Sequence, residues 1–291
     1  MEPIIDLENV SKKMNGFSID EMNLQVEKGM VTGFIGENGA GKSTTIKLIM
    51  NLLKPDTGDV KLFGLDYATH EKEIKERIGF VYDSNIFFEG MNLKDIKRVV
   101  APAYRQWDDA LFKKYIDQFE LPMNKAIKSF SKGMQMKASI ALAISHYAEL
   151  IIMDEPTAGL DPIFRRELLN LLQELMLDSH QTIFFSTHIT TDLDRIADYI
   201  AFIQNGKLLF NHSTEEIKDQ YAVVKGSNDL LDRDTEQYFI NVKRTNSGFT
   251  ALTSQPKTVQ NVFEDTVVIE RANLEDIMYY SKGGKEHAKS Y

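Results

Sequence analysis

Apolar and polar residues alternate over Ile4 to Val10 and over Phe17 to Val26, the two-residue period of half-buried strands. Met30-Val31-Thr32-Gly33-Phe34-Ile35 is a short apolar run that ends in a glycine-rich loop. The pattern then predicts a helix from Lys42 to about Leu53, stopped by the turn signal Lys54-Pro55-Asp56-Thr57-Gly58. Val60 to Phe63 and Ile78 to Tyr82 read as two further strands. From Asn92 to Phe119 apolar residues recur every three or four positions, a helical insertion with a break at Ala101-Pro102. A second helix is expected over Gly133 to His146. It is followed by strand Leu150–Met153, helix Pro162 to about Leu177, strand Thr182–Ser186 and helix Thr190–Ala197. Asn205-Gly206, set between Tyr199–Ile203 and Lys207–Phe210, is the strongest hairpin signal in the chain.

Strands alternating with helices predict an α/β core with a partly parallel sheet. After about Gln220 the texture changes. Tyr238–Val242 and Val267–Glu270 read as strands of a small α+β extension over 221–291, beside a main domain over 1–220 whose helical insertion spans about 84–146. With 291 residues the chain is long enough for one large and one small domain, and its core needs no disulfide; it has no cysteine to form one. A formal net charge of -9 disfavours broad adhesion to nucleic acid or anionic lipid. Met1–Asp6 has neither the basic n-region nor the apolar h-region of a signal peptide, and no apolar run approaches the ~20 residues that cross a bilayer. The expected place is the cytoplasm, with any membrane-spanning part supplied by other chains.

Gly36-Glu37-Asn38-Gly39-Ala40-Gly41-Lys42-Ser43 matches G-x-x-x-x-G-K-[ST] throughout, and it sits between a predicted strand and a predicted helix, the context that gives the motif meaning. Its glycines let backbone N–H groups turn toward a phosphate, and the helix N-terminus behind them favours negative charge. Lys42 is placed to reach the β- and γ-phosphates and the Ser43 hydroxyl to ligate Mg²⁺. Leu150–Met153 delivers Asp154 and Glu155 at a strand's C-terminal end, where ligands of open α/β sheets bind. Asp154 suits Mg²⁺ and Glu155 suits an attacking water. An apolar run ending in Asp-Glu is ordinarily a strand with solvated charges; beside a complete phosphate loop it signals a nucleotide hydrolase, with GTPase and helicase-type ATPase still open at this point.

Four further segments resemble the ABC ATPase family. Ser129-Phe130-Ser131-Lys132-Gly133-Met134-Gln135 is similar to its L-S-G-G-Q signature in the S-K-G-M form, and Ala158-Gly159-Leu160-Asp161-Pro162 to its D-loop. Ser186-Thr187-His188 resembles the strand end that carries the switch histidine. Lys54–Gly58, followed by Val60 and Phe63-Gly64, completes a likeness that spans about residues 4 to 220. Its specificity lies in the order and spacing of the pieces. The resemblance implies a P-loop NTPase core of the ABC ATPase type, with an antiparallel β subdomain, a helical subdomain and the small C-terminal extension.

It also implies roles. Lys42, Glu155 and His188 would be catalytic, and Gly36, Asn38, Gly39, Ala40, Gly41, Ser43, Thr44 and Asp161 would surround the nucleotide. Ser131 and Gly133, at the start of a predicted helix, would meet the γ-phosphate of ATP held by a second subunit, so that two chains sandwich two nucleotides. Three positions depart from the family pattern. Met14 stands where the adenine-stacking aromatic is expected, with Phe17 near enough to replace it. Asp83 replaces the Q-loop glutamine, and its carboxylate could join Ser43 and Asp154 near Mg²⁺. Met134 ends the signature.

The function implied is ATP binding and hydrolysis by a subunit on the inner face of the cell membrane, driving export through integral membrane permease subunits, with ATP and Mg²⁺ as cofactors and no nucleic acid. Within the family the chain is similar to subunits of bacterial exporters of drugs and amphipathic peptides, phenol-soluble modulins among them. Two alternatives stand beside this. A soluble ABC ATPase of ribosomes or DNA would bring a second nucleotide domain or a long coiled coil, and neither is in this sequence. A nucleotide-gated regulatory module with little turnover draws on Met14 and Asp83, and Glu155 and His188 oppose it.

Overall fold

Three of the short apolar runs, Val31–Ile35, Leu150–Asp154 and Thr182–Thr187, lie side by side in the middle of a six-stranded sheet. The computed structural model describes residues 2–82, 88–179 and 181–281, which fall into two compact units, Met1–Asn211 and His212–Tyr291. The first unit opens with β1 (Ile5–Met14), β2 (Phe17–Val26), β3 (Val31–Ile35), α1 (Lys42–Ile49), β4 (Thr57–Leu62) and β5 (Leu65–Asp66). It continues through α2 (Tyr67–Glu76), β6 (Ile78–Val81), α3 (Leu93–Val100), α4 (Asp109–Gln118) and α5 (Lys132–Ile144). Then come β7 (Leu150–Asp154), α6 (Pro162–Ser179), β8 (Thr182–Thr187), α7 (Thr190–Ile196), β9 (Tyr199–Gln204) and β10 (Lys207–Ser213).

The large sheet has the order β10-β9-β3-β8-β7-β6, and β3, β6, β7, β8 and β9 pair in parallel. Parallel strands are covered on both faces, which is why their sequences are near-continuous apolar runs and not alternations. Phe34, Ile152, Phe184 and Ile200 are fully buried in it. Each such side chain contributes about 1.5–3 kcal/mol through burial. The parallel register puts the C-terminal ends of β3, β7 and β8 at one edge, with Ile35 opposite Thr187 and Asp154 opposite Ser186. Gly33 in β3 allows α7 to approach closely: a Cβ there would lie 2.1 Å from Leu193 Cδ2.

A second sheet, β2-β1-β4-β5, is antiparallel, and its alternating strands β1 and β2 bury Ile5, Leu7, Val10, Ile19, Met22 and Leu24. Ile46 and Ile49 of α1 join the same core. Arg77, at the end of α2, fixes the approach to β7: its guanidinium lies 3.7 Å over the Phe63 ring and holds Glu149 at 2.7 Å (Nε–Oε1) and 3.1 Å (Nη2–Oε2). Hydrogen bonding from Arg77 holds the Glu149 carboxyl below the usual carboxylate range against the opposing effect of burial.

Several boundaries differ from expectation for local reasons. Helix α1 stops at Ile49, not near Leu53, because Asn51 takes φ 54° and the Leu52 and Leu53 amides turn back to the Lys47 carbonyl. Strand β4 begins earlier, at Thr57, and ends at Leu62, since Phe63 adopts φ 58°. The insertion divides into α3 and α4. Pro102 closes α3 in a 3₁₀ turn, Asn92 caps α3, and Asp108 accepts from the Ala110 and Leu111 amides to start α4. At the hairpin between β9 and β10, Asn205 and Gly206 both have positive φ, 48° and 79°, as a two-residue primed turn requires.

The second unit begins with α8 (Thr214–Gln220), opened by a capping box in which Ser213 and Glu216 bond each other's backbone amides. It continues with β11 (Ala222–Gly226), β12 (Asn241–Thr245), β13 (Gly248–Thr253), α9 (Pro256–Phe263), β14 (Val268–Arg271) and α10 (Leu274–Ser281). Its antiparallel sheet, β12-β13-β11-β14, buries Val224, Phe249 and Ala251 against Val259 and Phe263 of α9. Tyr238 is not in a strand as expected. It ends a 3₁₀ turn whose carbonyl accepts the Thr253 hydroxyl, and the strand starts only at Asn241. Among the described residues no helix is long and apolar enough to cross a membrane.

Candidate nucleotide site

The loop Gly36–Ser43 leaves the buried end of β3 and enters α1. Gly39 and Gly41 have φ 84° and 117°, conformations that L side chains rarely adopt, so glycine here is a backbone requirement. Gly41 is also hemmed in, since a Cβ would come within 2.8 Å of Ile19 Cδ1 and 2.9 Å of Phe17 Cζ. Gly36 and Ala40 are buried, Asn38, Gly39 and Ser43 are exposed, and Thr44 is half-buried. The turn is held from behind by Ala40 N to Glu37 O (3.1 Å), and Gly206 N of the hairpin donates to Ala40 O (2.9 Å).

Lys42 folds back over this loop. Its Nζ donates to Gly36 O at 2.8 Å and Glu37 O at 3.1 Å, and it lies 3.0 Å from Glu155 Oε1. The other oxygen of Glu155, Oε2, is 2.8 Å from His188 Nδ1. Three side chains, one from the start of α1 and two from the ends of the parallel strands β7 and β8, thus form one line, Lys42–Glu155–His188. Lys42 is 5% and Glu155 15% exposed, whereas His188 is 41% exposed at the open end.

Ser186 organises the acidic pair. Its hydroxyl donates to Asp154 Oδ1 at 2.6 Å, and the Glu155 amide donates to both Ser186 Oγ (3.0 Å) and Ser186 O (3.2 Å). Glu155 itself sits at φ 48°, in the left-handed region. Its carboxylate faces Lys42 on one side and His188 on the other.

The signature segment and D-loop lie together on another cleft, about 470 Å³, lined by Ser131, Lys132, Gly133, Gly159, Asp161 and Phe164 among others. Ser131 caps α5, its hydroxyl accepting the Met134 amide at 3.2 Å. Asp161 accepts the Ile163 and Phe164 amides at 3.1 and 3.0 Å and so caps α6. None of the residues lining this cleft belongs to the loop Gly36–Ser43. Phe17 and Met14, opposite each other across the β1–β2 hairpin, line a third cleft of about 490 Å³ with Lys13, Gly39 and Asn205. Asp83 lies outside the described residues.

The sequence reading passed over Ser186 in its bridging role, Lys132, and Arg165, which binds the buried Asp192 at 2.5 Å and so ties α6 to α7. Ser186 was visible as part of Ser186-Thr187-His188. Lys132 donates to the Ala158 carbonyl at 2.6 Å, a contact with backbone that leaves no mark in the pattern of side chains.

A glycine-turned loop ahead of a helix, a lysine over it, and two carboxylates and a histidine at neighbouring strand ends define a nucleotide-binding cassette of the P-loop class. Comparison with known proteins refines the class. The ABC transporter family profile matches residues 19–158. A bacitracin transport ATP-binding protein of Bacillus licheniformis is 36% identical over 196 residues, 66% of this chain and 63% of that protein, so the chain spans less than two thirds of that relative's length. Its counterpart from Enterococcus faecalis is 31% identical over 220 residues, 75% of this chain and 71% of that protein. A solved ATP-binding subunit of an ABC transporter superposes with a TM-score of 0.67 at 27% identity, covering 75% of this chain and 92% of that one. The chain belongs to the ABC transporter family, as an ATP-binding subunit, and its core has the ABC ATPase fold.

Proposed function

We propose that this chain hydrolyses Mg-ATP as half of a nucleotide sandwich and that the cycle powers export by partner permease subunits at the inner face of the cell membrane. The observation that carries the reading is the line Lys42–Glu155–His188 at the mouth of the loop Gly36–Ser43. The transport of bacitracin named for two relatives supports a peptide or drug as cargo.

Each residue then has a physical task. The loop amides and Lys42 bind the β- and γ-phosphates, and the clefts beside Gly39 leave Phe17 to pack against the base. Glu155 orients the attacking water and accepts its proton, and its contacts with Lys42 and His188 hold that carboxylate in place. His188 contacts the γ-phosphate and, through Oε2, keeps Glu155 aligned. Ser131 and Gly133 offer a hydroxyl and helix-start amides to the γ-phosphate on the second subunit, with Asp161 beside them.

The chemistry of the residues proposed for Mg²⁺, Ser43 and Asp154, suits that ion. Ser43 and Asp154 are hard oxygen groups, and Mg²⁺ takes one or two protein oxygens with substrate phosphates and water. Among the described residues no cluster of three acidic or histidine side chains would suggest another ion. When bound, Mg²⁺ neutralises charge on the phosphate oxygens. Ser186 holds the Asp154 carboxylate in place for it. Asp83 is proposed as a further approach to the ion.

We propose that a permease docks at about residues 84–104. Residues 84–87 lie outside the described set; the rest includes α3 with exposed Val99. The test of the whole reading is phosphate release from Mg-ATP by purified protein. Lys42→Ala should lower it at least about 100-fold, and Glu155→Gln protein should shift from monomer to dimer in light scattering when Mg-ATP is added. Equal phosphate release from wild type and Lys42→Ala would sink the hydrolase reading.

A further inference from the structure

We propose that Lys132 is a positioning residue that latches the D-loop onto the first turn of α5, so that the signature and the D-loop present one rigid face to the second nucleotide-binding subunit. The inference rests on the sandwich reading above for its consequence, but the latch itself is a property of the single chain.

Three observations lead to it. Lys132 is the first residue of α5, where the positive end of the helix dipole makes a cation unfavourable, so local helix physics does not account for it. Its Nζ crosses to the D-loop and donates to Ala158 O at 2.6 Å, a short charge-assisted bond between residues 26 positions apart. It makes no ion pair with any described residue that would draw it elsewhere. The D-loop is shaped to accept it: Gly159 sits at φ 69°, and a Cβ there would lie 2.8 Å from Nζ.

The same two elements touch a second time. A Cβ on Gly133 would come within 2.9 Å of Phe164 Cδ1, so the first turn of α5 lies directly on the first turn of α6. Gly133 therefore supplies close approach and Lys132 supplies the bond. The accepting carbonyl is three residues past Glu155, and the turn between them is closed by Ala158 N to Glu155 O (3.1 Å) and Leu160 N to Thr157 O (3.3 Å). Two points of contact and a closed turn join Ser131–Gly133 mechanically to the segment that leaves the water-activating carboxylate. A second subunit's nucleotide drawing on Ser131 and Gly133 would then pull on the D-loop without a separate conformational step.

The test has two readouts on wild type, Lys132→Met and Lys132→Arg. Amide hydrogen exchange of peptide 156–161 in the purified single chain should run about ten-fold faster in Lys132→Met and near the wild-type rate in Lys132→Arg. Turnover of Mg-ATP should show kcat about five- to ten-fold lower in Lys132→Met with KM unchanged, restored by arginine. Unchanged exchange in Lys132→Met overturns the latch, and if kcat still falls the ammonium acts on phosphate directly. Faster exchange with unchanged kcat overturns the positioning role. A raised KM would show damage to the chain's own nucleotide site and also count against it. If exchange responds as expected while wild type has no turnover, the latch stands and the hydrolase reading fails.

Discussion

Glu155 and a nucleotide phosphate compete for the same ammonium, and this gives a prediction whose size follows from the geometry. The pair Lys42–Glu155 is 3.0 Å long and its members are 5% and 15% exposed. At that separation and an effective dielectric near 20, two unit charges attract by about 5 kcal/mol. Most of that offsets desolvation of the two groups, and Lys42 keeps its bonds to Gly36 O and Glu37 O when the carboxylate is gone. A net of about 1–2 kcal/mol therefore opposes turning Lys42 toward phosphate, equivalent to about 5- to 30-fold in affinity. Replacing Glu155 by glutamine removes the charge and keeps the shape, so ADP should bind about 5- to 30-fold more tightly to Glu155→Gln than to wild type. ADP is the right ligand because the γ-phosphate contacts of a second subunit play no part in its binding. Isothermal titration of the two proteins at equal ionic strength is the assay. Unchanged or weaker ADP binding would refute the competition and leave the ion pair energetically idle.

Two further outcomes follow from neighbouring contacts. Ser186→Ala removes the hydroxyl that orients Asp154 and accepts the Glu155 amide, so the Mg²⁺ concentration for half-maximal ATPase activity should rise about ten-fold; an unchanged Mg²⁺ requirement would separate Asp154 from the ion. The Glu149 carboxyl is lowered by hydrogen bonding to Arg77, so its contribution to stability is present above the ordinary carboxylate range and is lost as pH falls through the lowered one. Because Glu149 is 41% exposed, the loss should be only about 1 kcal/mol, and urea midpoints of Arg77→Met should fall less between pH 7 and pH 3 than those of wild type.

The parts of the fold that were legible are those in which one residue type has one physical reason to be there. The runs Val31–Ile35, Leu150–Asp154 and Thr182–Thr187 read as strands because parallel strands are buried on both faces. The loop glycines at 39 and 41 read as a phosphate loop because of the positive φ they adopt. Helix α2 went unread because it buries only Ile74, so no apolar stripe announces it. Strands β11 and β13 went unread because Ala222–Val224 is short and Gly248–Thr253 mixes small and polar residues, and it is their pairing with each other that makes both of them strands. In the site, Lys42, Glu155 and His188 were separately legible, and their joining into one line is a product of sheet register, which no stretch of local sequence encodes.

The left-handed backbone at Glu155 bears on how this position can change over generations. A glutamate at φ 48° is held against its own conformational preference, at a cost of about 1 kcal/mol, whereas glycine or asparagine would rest there comfortably. Glycine there would relieve that strain but would also remove the carboxylate's contacts with Lys42 and His188, the first with a net of about 1–2 kcal/mol, so the strained backbone is held in place by what its own side chain binds. A copy of this gene relieved of selection on hydrolysis would therefore gain no stability by trading Glu155 for glycine, and the position should drift no faster than its buried neighbours.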